Sequence, residues 1–127
     1  MTARTALTYQ DYVALPDDGK RYEIHDGELS VTPAPSSLHQ IVLFRLAKVL
    51  DAHVTARDRG LIMVAPLDVI LSDKSSETTI LRPDIIYLDS DRLAALHMRG
   101  VEGAPTLAVE ILSPSTAVMD LTRKREL

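Results

Sequence analysis

Two carboxylates stand in apolar segments of the last third of the chain. Asp84 lies within Arg82–Leu88, and Glu110 lies within Thr106–Leu112. An ionised carboxylate is costly to bury alone among Val, Ile and Leu side chains, so it normally has a metal ion, a cation or a hydrogen-bond donor as a partner. We therefore expect each of these two carboxylates to have such a partner.

An acid and a lysine follow these segments. Asp120 and Lys124 are four residues apart, so on a helix both side chains would share one face, and the lysine could point back at the carboxylates. Two carboxylates can hold a hard divalent cation, Mg²⁺ or Mn²⁺, which polarises a phosphate and acidifies its bound water. A lysine adds positive charge beside the attacking water. This set is what a metal-dependent phosphodiesterase needs, with Asp84 and Glu110 as metal ligands and Lys124 as a catalytic residue.

The order of several short phrases resembles that of a known family. The phrases are Arg21–Leu29, Pro35–His39, Pro83-Asp84, Val109–Thr116 and Asp120-x-x-x-Lys124. They resemble the PD-(D/E)XK nuclease signature and, more closely and over nearly the whole chain, the Uma family of restriction-endonuclease-like proteins. One departure is that Leu112 stands where the general signature has its lysine. The resemblance implies that Lys124 replaces it from the following helix.

The same resemblance implies an endonuclease that acts on nucleic acid, with DNA as the expected substrate, and it adds candidate site residues. The backbone carbonyl of Ile111 becomes a further metal ligand, and Glu23, Glu28, His39 and Asp120 become accessory candidates. Simpler interpretations stay open for some of these residues. Alternation along the strand is also compatible with a solvated Glu23, and a lone histidine is more often a structural hydrogen-bonding residue than a ligand.

Composition narrows the class of protein. The chain has 127 residues, 46% hydrophobic and 25% charged, as in soluble globular domains. It has no Cys, which excludes disulfides and thiolate chemistry. No apolar stretch is long enough to span a membrane, so a cytoplasmic location is the default expectation. The net charge of -4 does not favour non-specific DNA binding by the whole molecule, although a bound cation would reverse the local sign.

The hydrophobic pattern predicts one domain over residues 1–127, of class α/β (α+β). The resemblance to the Uma family implies the architecture, a restriction-endonuclease-like core with a central mixed β-sheet flanked by helices. The expected elements are a short helix capped by Thr8 and Asp11, a hairpin of Arg21–Ile24 and Glu28–Thr32, a helix over Ser37–Arg59 opened by a Ser37 capping box, strands at Leu61–Ala65 and Leu67–Leu71, one strand over Ile80–Leu88, and a helical segment over Asp91–Met98.

Three other interpretations remain open on the sequence alone. The chain could be a catalytically inactive nuclease-fold module for interaction or DNA recognition. It could be a hydrolase of another substrate that uses Asp84 and Glu110 as acid and base, although the scarcity of aromatic residues argues against sugar stacking. The two carboxylates could also merely form ion pairs with Arg82 or Lys124.

The end of the chain leads to a separate expectation. The sequence stops three residues after Lys124. The resemblance implies that further strands follow at this point in other members of the family. An open sheet edge and the apolar residues Val118, Met119 and Leu121 would then lack cover. We therefore expect a C-terminally shortened domain that forms a homodimer.

Overall fold

The computed structural model describes residues 6–74 and 77–112. Its elements within these ranges are α1 (Tyr9–Val13), β1 (Arg21–His25), β2 (Glu28–Thr32), α2 (Ser37–Ala56), β3 (Leu61–Val64), β4 (Val69–Ser72), β5 (Thr79–Leu81), β6 (Ile85–Leu88), a 3-10 helix (Ser90–Ala95), β7 (Leu96–His97), β8 (Gly100–Glu102) and β9 (Leu107–Val109). The mixed α/β fold class expected from the sequence is confirmed.

The strands form two sheets. One has six strands in the order β2-β1-β5-β4-β8-β7, and the other has three in the order β3-β6-β9. The larger sheet is mixed, because β4 and β8 run parallel while its other pairs are antiparallel. The smaller sheet is antiparallel.

The single strand expected over Ile80–Leu88 is wrong. The chain leaves the six-stranded sheet after Leu81 and joins the three-stranded sheet at Ile85. Pro83 lies in this break, and a proline cannot donate a ladder hydrogen bond. Asp84 therefore stands at the crossing between the two sheets, immediately before β6, rather than inside a strand.

Local capping explains where the helices begin. Thr8 and Asp11 form the expected capping box at α1, with each side chain accepting from the other's backbone amide. Helix α2 differs from the expectation, because Ser36 rather than Ser37 is the cap. Ser36 has an extended backbone and its hydroxyl accepts from the amide of His39. His39 is thus held in the first turn of α2. The segment after Asp91 forms a single 3-10 helix and then turns into β7.

The β1–β2 hairpin is as expected from Asp26-Gly27. Both residues have positive φ, 49° and 82°, as a tight two-residue hairpin turn requires. The resulting register pairs Arg21 with Thr32 at the open end of the hairpin. This end faces the break at Pro83, because the side chain of Arg21 contacts both Arg82 and Asp84.

The hydrophobic core forms on both faces of β4. Val69 packs in a cluster with Ile86, Leu88, Ala95 and Val101. Its neighbour Ile70 packs in a second cluster with Tyr12, Ile24 and Ile80. Successive side chains of a strand point to opposite faces, so β4 contributes to both clusters. Within the described ranges, no helix has both the length and the apolar character needed to cross a bilayer.

Candidate active site

Strand register brings the two carboxylates of the last third together. Strands β6 and β9 pair antiparallel, with Ile85 opposite Val109. Continuing this register by one residue places Asp84 opposite Glu110, and side chains of directly opposed residues lie on the same face. Glu110 lies just beyond the end of β9 and Asp84 just before β6, so neither carboxylate is inside a strand.

Asp84 is almost fully buried, and its carboxylate has several polar neighbours. The side chain is 3% exposed. Its Oδ2 accepts from the backbone amide of Ile111 at 2.7 Å. Its Oδ1 lies 3.3 Å from Nη1 of Arg21 and 3.2 Å from Nε2 of His39. The amide of Ala65 also donates to the backbone carbonyl of Asp84 at 3.0 Å. These contacts hold Asp84 in a defined position between the two sheets.

Arg21 contacts both carboxylates, and sequence analysis assigned it no role in the site. Its Nη1 lies 3.3 Å from Oδ1 of Asp84 and 3.6 Å from Oε2 of Glu110. Its Nε donates to Oγ1 of Thr32, the cross-strand partner, at 3.2 Å. The sequence does contain a signal for this residue. Arg21, Glu23 and His25 share one face of β1 by alternation, and three polar side chains on one face are unusual in a buried strand.

Arg82 is not the cation of this site. Its Nε lies 2.7 Å from Oδ1 of Asp68, so this guanidinium is paired with Asp68, whereas the sequence left open a pairing with Asp84 or Glu110. The hydroxyl of Tyr12 donates to the same Asp68 oxygen at 2.7 Å. Burial and the neighbouring Asp68 carboxylate raise the pKa of Tyr12, so the phenol stays protonated and remains a donor.

Glu23 supports the break that contains Asp84. It is 1% exposed, so the interpretation of a solvated Glu23 is wrong. Its Oε2 accepts from the backbone amide of Arg82 at 2.6 Å, and its Oε1 lies 3.3 Å from Nε2 of His25. The amide of Arg82 lies just past the end of β5, and this carboxylate is its acceptor.

A cleft of about 350 Å³ opens beside Asp84. It lies between the open end of the β1–β2 hairpin, the first turn of α2 and the break before β6. Its described lining includes the basic residues Lys20, Arg21 and Arg82, the acidic residues Asp17 and Asp84, and His39. Nδ1 of His39 is buried and has no hydrogen-bond partner within the part of the chain that the structure describes. The cleft therefore offers polar groups to a ligand.

The remaining candidates lie in different places. Ile111 lines the cleft, and its amide is committed to Asp84. Glu110 contacts Arg21. Asp84 lines the cleft and Glu110 does not, so a ligand in the cleft is adjacent to Asp84. Glu28 begins β2 opposite His25, at an exposed position away from the cleft. Asp120 and Lys124 lie outside the described residues.

Carboxylates are the groups that this site offers to the divalent cation expected from the sequence. Among residues 6–74 and 77–112, no group of three or more His, Asp or Glu side chains is placed to hold a metal ion. Mg²⁺, however, commonly takes only one or two protein carboxylates and completes its coordination with waters and substrate phosphates. Asp84 and Glu110 supply two carboxylates, so the chemistry of the donor set, oxygen ligands of negative charge, fits a hard cation.

Known proteins share both the fold and the sequence pattern of this chain. The fold resembles a crystal structure described as "a putative nuclease belonging to DUF820" from Anabaena variabilis, with a TM-score of 0.72 at 20% sequence identity. The match covers 93% of this chain and 65% of that one, so the chain spans slightly less than two thirds of the matched structure. The chain therefore shares the fold of that structure.

The family follows from the sequence model that matches residues 9–127, Uma2, described as "Putative restriction endonuclease". Because this match covers nearly the whole chain, the protein belongs to the Uma2 family. The resemblance stated from the sequence phrases is thereby confirmed. Among curated proteins, none matches the chain.

Proposed function

We propose that this protein is a divalent-cation-dependent nuclease that hydrolyses phosphodiester bonds of nucleic acid, with DNA as the expected substrate. The observation on which the proposal rests is the placement of Asp84 and Glu110 against one guanidinium, beside a cleft with basic residues in its lining. Membership of the Uma2 family and the nuclease fold support the same reaction class.

In the proposed reaction, the oxygen of a water molecule forms a bond to phosphorus while the bond to the leaving sugar oxygen breaks. The water loses one proton, the leaving oxygen gains one, and the products are a phosphomonoester and an alcohol. Asp84 and Glu110 hold the cation, which when bound supplies Lewis acidity at the phosphate. The Ile111 amide keeps Asp84 oriented, and Lys124 positions the attacking water.

Local charge supports a phosphate ligand in the cleft. The whole chain is acidic, with a net charge of -4. The described cleft lining nevertheless includes three basic residues, Lys20, Arg21 and Arg82, against two acidic residues, Asp17 and Asp84. Positive groups that line a cleft attract anionic backbones even when the whole molecule is negative. We therefore propose that the scissile phosphate enters this cleft beside Asp84.

Cleavage by an Asp84→Asn variant tests the proposal. The amide keeps the shape of the side chain but removes the charge that holds the cation, so we expect cleavage of DNA in Mg²⁺ or Mn²⁺ to fall at least about a hundredfold. Asp73→Asn is the matched control, since Asp73 is an exposed acid paired with Arg99 away from the cleft. The proposal is contradicted if Asp84→Asn cleaves DNA as fast as wild-type protein that was purified and assayed in the same way.

One observation favours a second candidate function, a nuclease-fold module that binds nucleic acid without cleaving it. The described residues contain no cluster of three metal-ligating side chains, and the guanidinium of Arg21 already contacts both carboxylates. Tight DNA binding by the wild type, with no cleavage in Mg²⁺ or Mn²⁺, would select this function over hydrolysis.

A further inference from the structure

Arg21 contacts both of the carboxylates that are proposed to hold the cation. Its Nη1 lies 3.3 Å from an oxygen of Asp84 and 3.6 Å from an oxygen of Glu110. An ion coordinated by those same oxygens would lie about 2.0–2.6 Å from each. Such an ion would share both carboxylates with the guanidinium, and two positive charges on the same pair of carboxylates repel each other.

The guanidinium is held in this position by contacts other than the carboxylates. Its Nε donates to the hydroxyl of Thr32 at 3.2 Å, and Nη1 lies 3.4 Å from the carbonyl of Arg82. The side chain is 18% exposed, so it is partly shielded from water yet borders the cleft. Arg21 therefore borders the open space of the cleft.

We propose that Arg21 is a built-in counter-cation that competes with the divalent cation for Asp84 and Glu110 and withdraws when the cation binds. This inference rests on the proposed metal-dependent function and describes how that site is regulated. In the metal-free protein, Arg21 stabilises the adjacent carboxylates. In the metal-loaded protein, the cation takes over that role, and metal affinity is set by the difference between the two.

The test uses the full chain and Mn²⁺ alone, without nucleic acid. Free Mn²⁺ is measured by electron paramagnetic resonance during titration, and thermal melting is recorded in EDTA and in excess Mn²⁺. For Arg21→Gln we expect a Kd for Mn²⁺ at least about tenfold lower than in the wild type, since one neighbouring charge of this kind shifts ionic equilibria by about that factor or more. We also expect a lower melting temperature in EDTA and a larger rise on adding Mn²⁺.

Arg99→Gln is the matched control. Arg99 also bridges two carboxylates, Asp73 at 2.9 Å and Glu102 at 2.7 Å, but outside the cleft lining. Its loss should leave Mn²⁺ affinity unchanged. If Arg21→Gln does not fold, Thr32→Val decides instead, because it keeps the charge and removes the hydroxyl that holds the guanidinium. A lower Kd in Thr32→Val supports the proposal, and an unchanged or higher Kd overturns it.

The outcomes separate this inference from the proposed function. Wild-type binding of Mn²⁺ with an equal or higher Kd in Arg21→Gln overturns the competition while leaving the metal site standing. Absence of Mn²⁺ binding in both proteins removes the metal site itself, and the competition with it. Tighter binding in Arg21→Gln but not in Arg99→Gln supports both.

Discussion

The side chain of Asp84 is the most constrained polar group of the site. Both of its oxygens have close polar neighbours, namely the Ile111 amide, the Arg21 guanidinium and the His39 imidazole. Burial of a carboxylate is tolerated only with such compensation, and removal of one partner leaves the charge exposed to the apolar surroundings. The position of Asp84 is thus determined by three elements at once, a strand end, a hairpin and a helix start.

Lys124 gives the prediction that belongs to the residue scale. Its role rests on the family phrase and on its spacing from Asp120, and it lies outside the described residues. If it positions the attacking water, Lys124→Ala should lower kcat at least about a hundredfold while leaving the Kd for Mn²⁺ nearly unchanged. Steady-state cleavage and a metal titration on the same variant measure the two effects.

Lys74→Ala serves as the control for this variant, since Lys74 is an exposed lysine that does not line the cleft. Full activity of Lys124→Ala would remove this residue from the mechanism. A parallel loss of activity and of metal affinity would instead assign it to the structure of the carboxylate pair.

At the scale of elements, the connection from α2 to β3 depends on Gly60. This glycine has a φ of +114°, and a Cβ added there would collide with the backbone carbonyl of Leu88. Leu88 is the last residue of β6 and pairs with Leu61. Since β6 begins directly after Asp84, the close approach at Gly60 helps to fix the sheet on which the candidate site is built.

Gly60→Ala should therefore lower the free energy of unfolding by about 2–4 kcal/mol, from backbone strain together with displacement of β6. Gly19→Ala is the matched control, because Gly19 also has a positive φ of +84° but nothing lies within 4 Å of an added Cβ. Its cost should be about 1–2 kcal/mol, from the backbone conformation alone. Urea unfolding of the two variants measures the difference, and equal losses would contradict the packing role of Gly60.

Elements with local signals could be predicted from the sequence. Thr8 with Asp11 and the Asp26-Gly27 turn act over a few residues, and both form as expected. The division of Ile80–Leu88 could not be predicted from its apolar pattern, because β-rich composition does not reveal which sheet a strand joins. Pro83 was the available signal, and its missing amide marks the place where the ladder ends.

At the scale of the whole molecule, the sequence identified the two carboxylates but not Arg21, the positively charged side chain that contacts both of them. Asp84 and Glu110 stand out because an acid is rare in an apolar run. Arg21 is distant in sequence, and only the tertiary crossing of the hairpin and the break brings it to them. Arg82 was the nearer candidate by sequence, but it pairs with Asp68. Long-range ion pairs of this kind follow from topology, which the local pattern does not determine.

The homodimer expected from the sequence stays a prediction. The described part of α2 does expose several large apolar side chains, among them Leu38, Phe44 and Val49. Exposed apolar residues on one helix are consistent with a contact surface.

The charge distribution is a separate property of the whole chain, which combines a net charge of -4 with a cleft bordered by basic residues.

Anomalous diffraction from a crystal soaked in Mn²⁺ tests the central claim most directly, because it locates the cation independently of activity. The account predicts an anomalous peak about 2.0–2.6 Å from carboxylate oxygens of both Asp84 and Glu110, with the Arg21 guanidinium moved away from them. A soaked crystal in which Mn²⁺ binds elsewhere, or in which Arg21 still contacts both carboxylates and no peak lies beside them, would contradict it.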